Sequence, residues 1–431
     1  MELDEEAKED FDEHGLGGED LDAQIEAVKS NIIGSKTATM YLRGMSRYIA
    51  WLYTNKRDVL SGELLSALRD DAFEDDGTGY LSLKVNGVLR FIRENAKVPL
   101  IQYEQHRATD FEGFLLSLKS RNGGKPGISV YNSFRSALFH LYRGYGRSMD
   151  VDFAADVTLF FKGLKRETAK RNHDSGEKLT EGKDPLPFSM LRSLSVSMME
   201  HESDEFVFAH FFLVITWNLM CRAGNTASIH AGHLSWEGDA LAVRFGHMKN
   251  DQDGTRPRDA RHIYVNPFNP EICPILSLGI YAAVCGLDDS KLFPGGNQYD
   301  RFSKILKRLL TEPTLSNLLD TEGLSPADTG TQSIRKGSAT YVSSCSNGGP
   351  SAAAICIRAG WTLPGVQDTY IRYESAGDMI VGRYVSGLPF EEPGFAVLPP
   401  FFALVLPPFF ADIDDFIRRA IDLCFSNLPS R

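Results

Sequence analysis

The sequence lacks the paired cysteines, the histidine clusters and the basic leader that mark three common classes of protein. Its 6 cysteines include no pair at the CxxC spacing of a zinc site, which argues against a structural metal. We therefore expect reduced, mostly buried thiols and neither metal nor cofactor. The first 22 residues are acidic rather than basic and then apolar, so no secretory signal is predicted.

An excess of positive charge is also missing, although this does not exclude nucleic acid as a partner. The net charge is -11, but residues 1–22 hold 11 acids and one lysine and so account for almost all of it. The remaining chain is nearly neutral and can still present a basic face. We predict that residues 1–22 form a disordered, solvated tail. The alternative is a DNA mimic that covers a basic groove of the same chain.

Length and residue pattern predict two domains joined by a linker. A chain of 431 residues exceeds one ordinary hydrophobic core. Residues 23–170 have the pattern of helices, and residues 171–187 have the polar composition, ending in prolines, of a linker. Residues 188–390 combine helices with short strands. The predicted class is mainly α with a small antiparallel β-sheet.

Two stretches of the N-terminal region place apolar residues at helical spacing. The first begins with a Ser/Thr cap signal at Ser35 and brings Tyr48 and Leu52 to one face. The second does the same with Phe134 and Leu138. Both are predicted to be amphipathic helices that contribute to one core.

Basic residues occupy other faces of these helices and a run near the end of the region. Their simplest interpretation is a solvated helix surface. The alternative is contact with phosphate and, for the run, nuclear import. The candidate DNA-binding residues, which include one farther along the chain, are Arg43, Arg47, Arg135, Lys162, Lys165, Arg166, Lys170, Arg171 and Lys336.

The second half begins with an apolar stretch at residues 206–220 that is too short for a membrane span and is predicted to be a core helix. Alternation over residues 233–236, 240–249 and 261–265 predicts a small antiparallel sheet. Helices are expected again from residue 275 to about 390.

The last segment, residues 391–431, repeats Val-Leu-Pro-Pro-Phe-Phe-Ala at 397 and 405. Residues 394–411 are uncharged, but four prolines argue against a membrane helix. Residues 412–429 are predicted to form an amphipathic helix that docks on its own domain or on a neighbouring subunit.

Five residues of the second half carry the functional inference together. Arg222 follows the core helix among apolar residues, Lys249 lies at a hairpin tip, Arg335 opens a helix, and Tyr370 comes nine residues after Trp361. A partly buried arginine is costly unless it meets an anion, and two forked guanidiniums can hold one phosphate. Each residue alone has an ordinary explanation in packing or at the surface, so the inference depends on their order.

This order resembles the tyrosine recombinase (phage integrase) family, most of all the recombinases of eukaryotic Crypton-type transposons. The resemblance covers residues 205–385 and is most specific in the segment Ala-Gly-Trp-Thr-Leu-Pro-Gly-Val-Gln-Asp-Thr-Tyr-Ile-Arg-Tyr, which begins at residue 359. It implies a DNA-binding core-binding domain over residues 23–170 and a catalytic domain over residues 188–390. It also implies double-stranded DNA as substrate, self-association as a dimer or tetramer on DNA, no cofactor and, in a eukaryote, a nuclear location (otherwise cytoplasmic).

The resemblance assigns a role to each residue of the set. Tyr370 would form a 3′-phosphotyrosyl link and Lys249 would protonate the departing 5′ oxygen, while Arg222, Arg335 and Trp361 hold the phosphate. Tyr373, one turn further on, is the rival nucleophile.

The sequence departs from the family at Gln332, where a histidine is usual, and at Asn225, where an acid is usual. A glutamine does not relay a proton at neutral pH, and Lys336 could replace the missing base only with a strongly depressed pKa. A decayed or domesticated DNA-binding protein on the same scaffold is therefore the main alternative. A topoisomerase, and a scaffold without any nucleic-acid role, are the others.

Overall fold

The computed structural model describes residues 32–75, 81–120, 123–175, 182–237, 239–245, 260–287, 290–344, 349–361 and 375–390, with isolated positions between 21 and 28. Lys249, Tyr370 and Tyr373 lie outside the described residues, as do residues 1–20 and 391–431. The chain divides into two compact units, Met1–Thr180 and Glu181–Arg431. Each unit has its own hydrophobic core.

The first unit is mainly helical. Its helices are α1 (Ser35–Asn55), α2 (Gly62–Ala67), α3 (Val85–Glu94), α4 (Ala108–Ser117), α5 (Ile128–Gly144) and α6 (Val151–Asp174). Strands β1 (Phe73–Asp75) and β2 (Leu81–Leu83) form an antiparallel pair between α2 and α3. The sequence pattern predicted helices alone here. Strands of three residues are too short to show the alternation of apolar and polar positions that identifies a strand.

Both helices predicted from apolar spacing are confirmed, and they pack against each other as α1 and α5. Tyr48, Leu52 and Leu138 are fully or nearly fully buried between them. The expected cap at Ser35 is wrong by one residue, because Gly34 takes the non-helical cap position with ψ 143° and Ser35 begins the helix.

Helix α6 continues four residues into the segment predicted as a linker, because residues 171–174 contain neither glycine nor proline.

A histidine lies between two tyrosines in the core of the first unit. His106 is 6% exposed, with Nε2 2.7 Å from the Tyr48 hydroxyl and Nδ1 2.8 Å from the Tyr142 hydroxyl. Burial lowers the pKa of His106 to about 4 even though the nearby Asp110 carboxylate opposes the shift. The side chain is therefore neutral in the folded protein across the physiological pH range.

We expect the first unit to lose stability as pH falls below about 6.5. The unfolded chain takes up a proton at the ordinary pKa of 6.5, whereas folded His106 resists protonation down to a pKa of about 4. The stabilisation is complete above pH 6.5, declines through this window and amounts to about 3 kcal/mol. Urea unfolding of the full chain between pH 7.5 and 4 measures the decline. His106→Gln should flatten it, and equal slopes in both proteins would contradict the assignment.

The second unit combines helices with one three-stranded sheet. The helices are α7 (Phe188–Glu200), α8 (Asp204–Asn218), α9 (Ala223–Thr226), α10 (Pro274–Cys285), α11 (Gln298–Leu310), α12 (Pro313–Thr321), α13 (Thr331–Ser344), α14 (Ala352–Ala359) and α15 (Ser375–Val385). The strands are β3 (Leu234–Glu237), β4 (Ala240–Val243) and β5 (Arg261–Ile263). With the first unit, this confirms a mainly α fold with small antiparallel sheets.

Helix α8 is the predicted core helix, and its surroundings explain its uniformly apolar sequence. It packs against α7, α10, α11 and α13, so almost every side chain is buried. Its polar residues have partners: His210 Nε2 lies 2.7 Å from the Glu271 carbonyl, and Asn218 accepts a hydrogen bond of 2.9 Å from the Ser386 hydroxyl. The helix therefore forms the rigid centre of the unit.

The sheet is antiparallel in the order β3-β4-β5, as predicted. In register, Trp236 faces Leu241 across β3 and β4, and Ala242 faces His262 across β4 and β5. All residues of β4 and β5 are buried. The predicted strand over residues 240–249 extends as strand only to Val243, and residues 246–259 lie outside the described part.

The chain enters the second unit against α13. The Leu186 amide donates to the Ser333 carbonyl at 2.9 Å, and a Cβ built on Gly337 would lie 2.1 Å from the Leu186 carbonyl oxygen. Only glycine permits this contact between backbones. Residues 183–187, which the sequence assigned to a linker, are thus partly fixed to the helix that carries Arg335.

In the described part of the chain, no helix is long and apolar enough to cross a membrane. Cys221 and Cys273 are buried free thiols, Cys356 is half-buried and Cys285 is exposed. The expectation of mostly buried thiols therefore fails at Cys285, which lies in the last turn of α10 beside exposed Val284.

Candidate active site

Arg222 is presented by a tight turn at the end of α8. Met220 in this turn has φ 48°, a left-handed conformation that is uncommon for a residue with a side chain. Arg222 then caps α9: its carbonyl accepts the amides of Asn225 at 2.7 Å and Thr226 at 3.1 Å. Since its backbone is held on both sides, the half-buried Arg222 side chain projects from a fixed point.

Arg335 lies in the first turns of α13 and is held against the end of α14. Its Nη2 donates to the Ala359 carbonyl, and its guanidinium lies 5.5 Å from the ring centroid of Trp361. Nε of Arg335 is buried without a hydrogen-bond partner among the described residues. A buried donor without a partner is costly, so this nitrogen is available to an acceptor that enters the site.

Arginines of the same charge surround Arg335. Burial, followed by the positive charges of Arg222 and Arg261, lowers the pKa of Arg335 to about 10. Within the described residues, no carboxylate forms a salt bridge with Arg222 or Arg335. The positive charge is therefore left for an anion, and a phosphate diester has the oxygens that forked guanidiniums bind best.

Arg261 is a residue of this site that sequence reasoning missed. It is 5% exposed at the start of β5, where Nη1 donates to the Leu219 carbonyl at 2.9 Å and the guanidinium lies 4.6 Å from the Phe245 ring centroid. Arg261 thereby braces the turn before Arg222. The sequence shows only an arginine at the start of a strand, a position that usually faces solvent.

A buried group of charges lies behind the arginines. Nη1 of Arg358 on α14 donates to Oδ1 of Asp378 on α15 at 2.5 Å. Oδ2 of Asp378 accepts the backbone amide of His262 at 2.6 Å and lies 2.8 Å from its Nδ1. Nε2 of His262 lies 3.1 Å from the Glu237 carboxylate on β3. We call Arg358, Asp378 and His262 the buried ion cluster.

His262 lies between two carboxylates, those of Asp378 and Glu237. Burial lowers its pKa, but hydrogen bonds and charge from Asp378 and then Glu237 outweigh burial and raise the pKa above its usual 6.5. Because a carboxylate only accepts, both ring nitrogens of His262 act as donors in the protonated form. The histidine therefore joins α15 to the edge strand β3.

The remaining residues of the predicted catalytic set differ in their placement. Trp361 is 39% exposed and lies beside Arg335. Gln332 is exposed near the start of α13, the helix that carries Arg335. Lys336 is also exposed, but its Nζ donates to the Lys183 carbonyl at 2.6 Å. The structure thus brings Arg222, Arg335 and Trp361 together. Lys249 and Tyr370 remain predictions.

Most of the predicted DNA-binding residues of the first unit are exposed. Arg43 and Arg47 lie on α1. The exposed members on α6 are Lys162, Lys165, Arg166 and Lys170.

Arg135 and Arg171 differ from this group because they contact their own unit. Arg135 Nη2 donates to Thr158 Oγ1 at 3.0 Å, and its guanidinium lies 5.1 Å from the Phe161 ring centroid. Half-buried Arg171 Nη2 is 3.5 Å from the Pro126 carbonyl. In the structure Arg135 joins α5 to α6, so packing is its observed role.

Comparison with known proteins finds similarity at the level of three-dimensional structure alone. No protein-family model and no curated protein sequence matches the chain. A pre-cleavage complex of the XerH site-specific recombinase bound to difH is 13% identical, with a TM-score of 0.33, over 78% of this chain and 93% of that one. A post-cleavage XerH complex with palindromic difH is 12% identical, with a TM-score of 0.39, over 78% and 92%. At TM-scores this low, the function has to be inferred from the residues themselves.

We expect a small tetrahedral anion to stabilise the second unit through Arg222. Sulfate would relieve the repulsion between Arg222 and Arg335. At a sulfate concentration ten times its dissociation constant, the free energy of unfolding should rise by about 1.4 kcal/mol. Thermal unfolding in sulfate, against sodium chloride at equal ionic strength, measures this gain. Arg222→Gln should abolish it, whereas Arg308→Gln should keep it because Arg308 is an exposed arginine paired with Glu205. Equal gains in both variants would mean that the anion binds elsewhere.

Proposed function

We propose that the second unit binds a phosphodiester of double-stranded DNA between Arg222 and Arg335, and that Tyr370 cleaves and rejoins it as in a tyrosine recombinase. The observation that carries the proposal is the convergence of these two arginines beside Trp361, with Nε of Arg335 buried and unpartnered among the described residues. An anion with several oxygens satisfies all of these donors at once.

The chemistry follows from what such a site can stabilise. Phosphoryl transfer concentrates negative charge on the non-bridging oxygens, and the guanidiniums of Arg222 and Arg335 offset this charge. The Tyr370 hydroxyl releases its proton to water, its phenolate oxygen attacks phosphorus, the bond to the 5′ oxygen breaks, and Lys249 gives that oxygen a proton. The new phosphotyrosyl bond conserves the free energy of the broken phosphodiester bond, so attack by another 5′ hydroxyl rejoins the strand and releases Tyr370 without metal or ATP.

The first unit supplies the larger DNA contact in this proposal. Exposed basic residues on α1 and α6 would bind the phosphate backbone, which makes binding strongly dependent on salt. Self-association on DNA, a transposon origin, the Crypton type and a nuclear location depend on the sequence resemblance alone.

We expect the wild-type chain to become covalently attached to DNA. The substrate is a duplex selected from a random pool for binding to the protein and then nicked at successive positions. Cleavage beside a nick releases a short end that diffuses away, which traps the adduct. Tyr370→Phe should abolish the adduct, because no phenolate remains to attack. Arg335→Lys should slow its formation by roughly 10²–10³-fold, as for loss of one donor to a transition-state oxygen.

Tyr373→Phe is the matched control and should leave the adduct intact. Mass spectrometry of the DNA-linked peptide identifies the attacking residue. An adduct on Tyr373 would overturn the choice of nucleophile, and intact DNA binding without any adduct would overturn the enzyme.

A DNA-binding protein without catalysis is the second candidate, and Gln332 is the observation that favours it. Its exposed amide stands where the family usually has a proton-relaying histidine. If the relay alone is missing, Gln332→His should accelerate adduct formation by about 10²–10⁴-fold. DNA affinity should not change, and Gln332→Asn controls for side-chain size. No acceleration, measured as single-turnover adduct yield, would show that the relay is not what limits the reaction.

A further inference from the structure

The segment that carries Tyr370 begins and ends at the buried ion cluster. Arg358 lies three residues before Trp361, and Asp378 lies three residues after Ser375, the first described residue beyond the segment. Their side chains form an ion pair of 2.5 Å in which both are fully buried. One ion pair therefore holds the described chain on both sides of residues 362–374, four residues before residue 362 and four residues after residue 374.

That ion pair is attached to the elements that carry the site's arginines. Nη2 of Arg358 donates to the carbonyl of Asn218 at 2.8 Å, at the end of the helix that leads to Arg222. The same nitrogen donates to the carbonyl of His262 at 2.9 Å, beside Arg261 on β5. A single guanidinium thus fixes the ends of α8, α14 and β5 relative to one another.

Helix α15 is fixed to β5 by a second, independent contact. One turn after Asp378, a Cβ built on Gly382 would lie 2.3 Å from the His262 carbonyl oxygen, so the two backbones touch. Asp378 holds the amide and ring of the same histidine. A buried ion pair of this kind contributes little net stability compared with an apolar pair of similar size. Fixing geometry is therefore the better explanation for it.

We propose that Asp378, with Arg358 and His262, is a positioning residue for strand cleavage that fixes both ends of the Tyr370 segment to the arginine site. This inference rests on the proposed function. None of the three side chains touches the phosphate in it. They act by limiting where the tyrosine and the phosphate can be relative to each other, and a misplacement of about 1 Å can cost about 10²-fold in rate.

Asp378→Asn and His262→Gln test the proposal on the full chain with the nicked duplex used as substrate. We expect adduct formation in single turnover to fall by about 10²-fold in Asp378→Asn, with DNA affinity unchanged within about twofold. Glu205→Gln breaks an exposed ion pair with Arg308 in the same unit and should change neither quantity.

The double variant Arg358→Met with Asp378→Asn separates positioning from stability. Replacing both partners of a buried pair tends to restore stability that a single replacement removes. We expect the double variant to unfold near the wild-type temperature and still form adduct slowly. Recovery of the rate together with stability would overturn the positioning role.

The dependence of the rate on pH gives an additional readout. His262 faces Asp378 on α15 and Glu237 on β3, which Arg244 also pairs, while Arg358 on α14 holds its carbonyl. As pH rises through the raised pKa of His262, loss of its proton removes one of these bonds, so the wild-type rate should decline and the His262→Gln rate should not.

The possible failures can be told apart. If the wild type forms no adduct, the proposed function fails and the positioning role with it. If the wild type forms adduct and Asp378→Asn matches its rate, the positioning role alone is wrong.

Discussion

The second unit keeps two half-buried arginines, Arg222 and Arg335, close together in spite of their like charge. Burial, followed by the positive charges of Arg222 and Arg261, lowers the pKa of Arg335 to about 10. The backbone around these arginines is held at three points. Met220 lies in a left-handed turn, Arg261 donates to the Leu219 carbonyl, and Arg335 donates to the Ala359 carbonyl. The unit thus holds positive charge that, in the proposed function, a phosphate of DNA neutralises.

In the interior of the second unit, by contrast, charged side chains of opposite sign form pairs. In the buried ion cluster Asp378 pairs with Arg358 and with His262, and His262 also pairs with Glu237. On α8, the His210 side chain bonds to the Glu271 carbonyl and the Asn218 side chain to the Ser386 hydroxyl. Arg358 has a carboxylate partner in Asp378, whereas Arg222 and Arg335 have no salt bridge among the described residues, and this difference separates a structural arginine from those available to a ligand.

Local pattern was sufficient to predict α1, α5, α8 and the three-stranded sheet, because each has a period or composition that shows within a short window. It was also sufficient to bring Arg222, Arg335 and Trp361 into one site, through their resemblance to a family motif. The ion pair between Arg358 and Asp378 could not be found in this way, since its partners belong to different helices and have no shared pattern. Arg135 shows the reverse error. The sequence made this arginine a candidate for DNA binding, but in the structure it packs on the ring of Phe161.

The contact between Gly337 and Leu186 has a consequence for how the two units are connected. The chain that arrives from the first unit is bonded to α13 at Ser333 and touches it at Gly337, on either side of Arg335. The described chain that follows the first unit is therefore joined, at Leu186, to the helix that carries Arg335. A load on the chain at Leu186 would be carried through these two backbone contacts to the helix that holds Arg335.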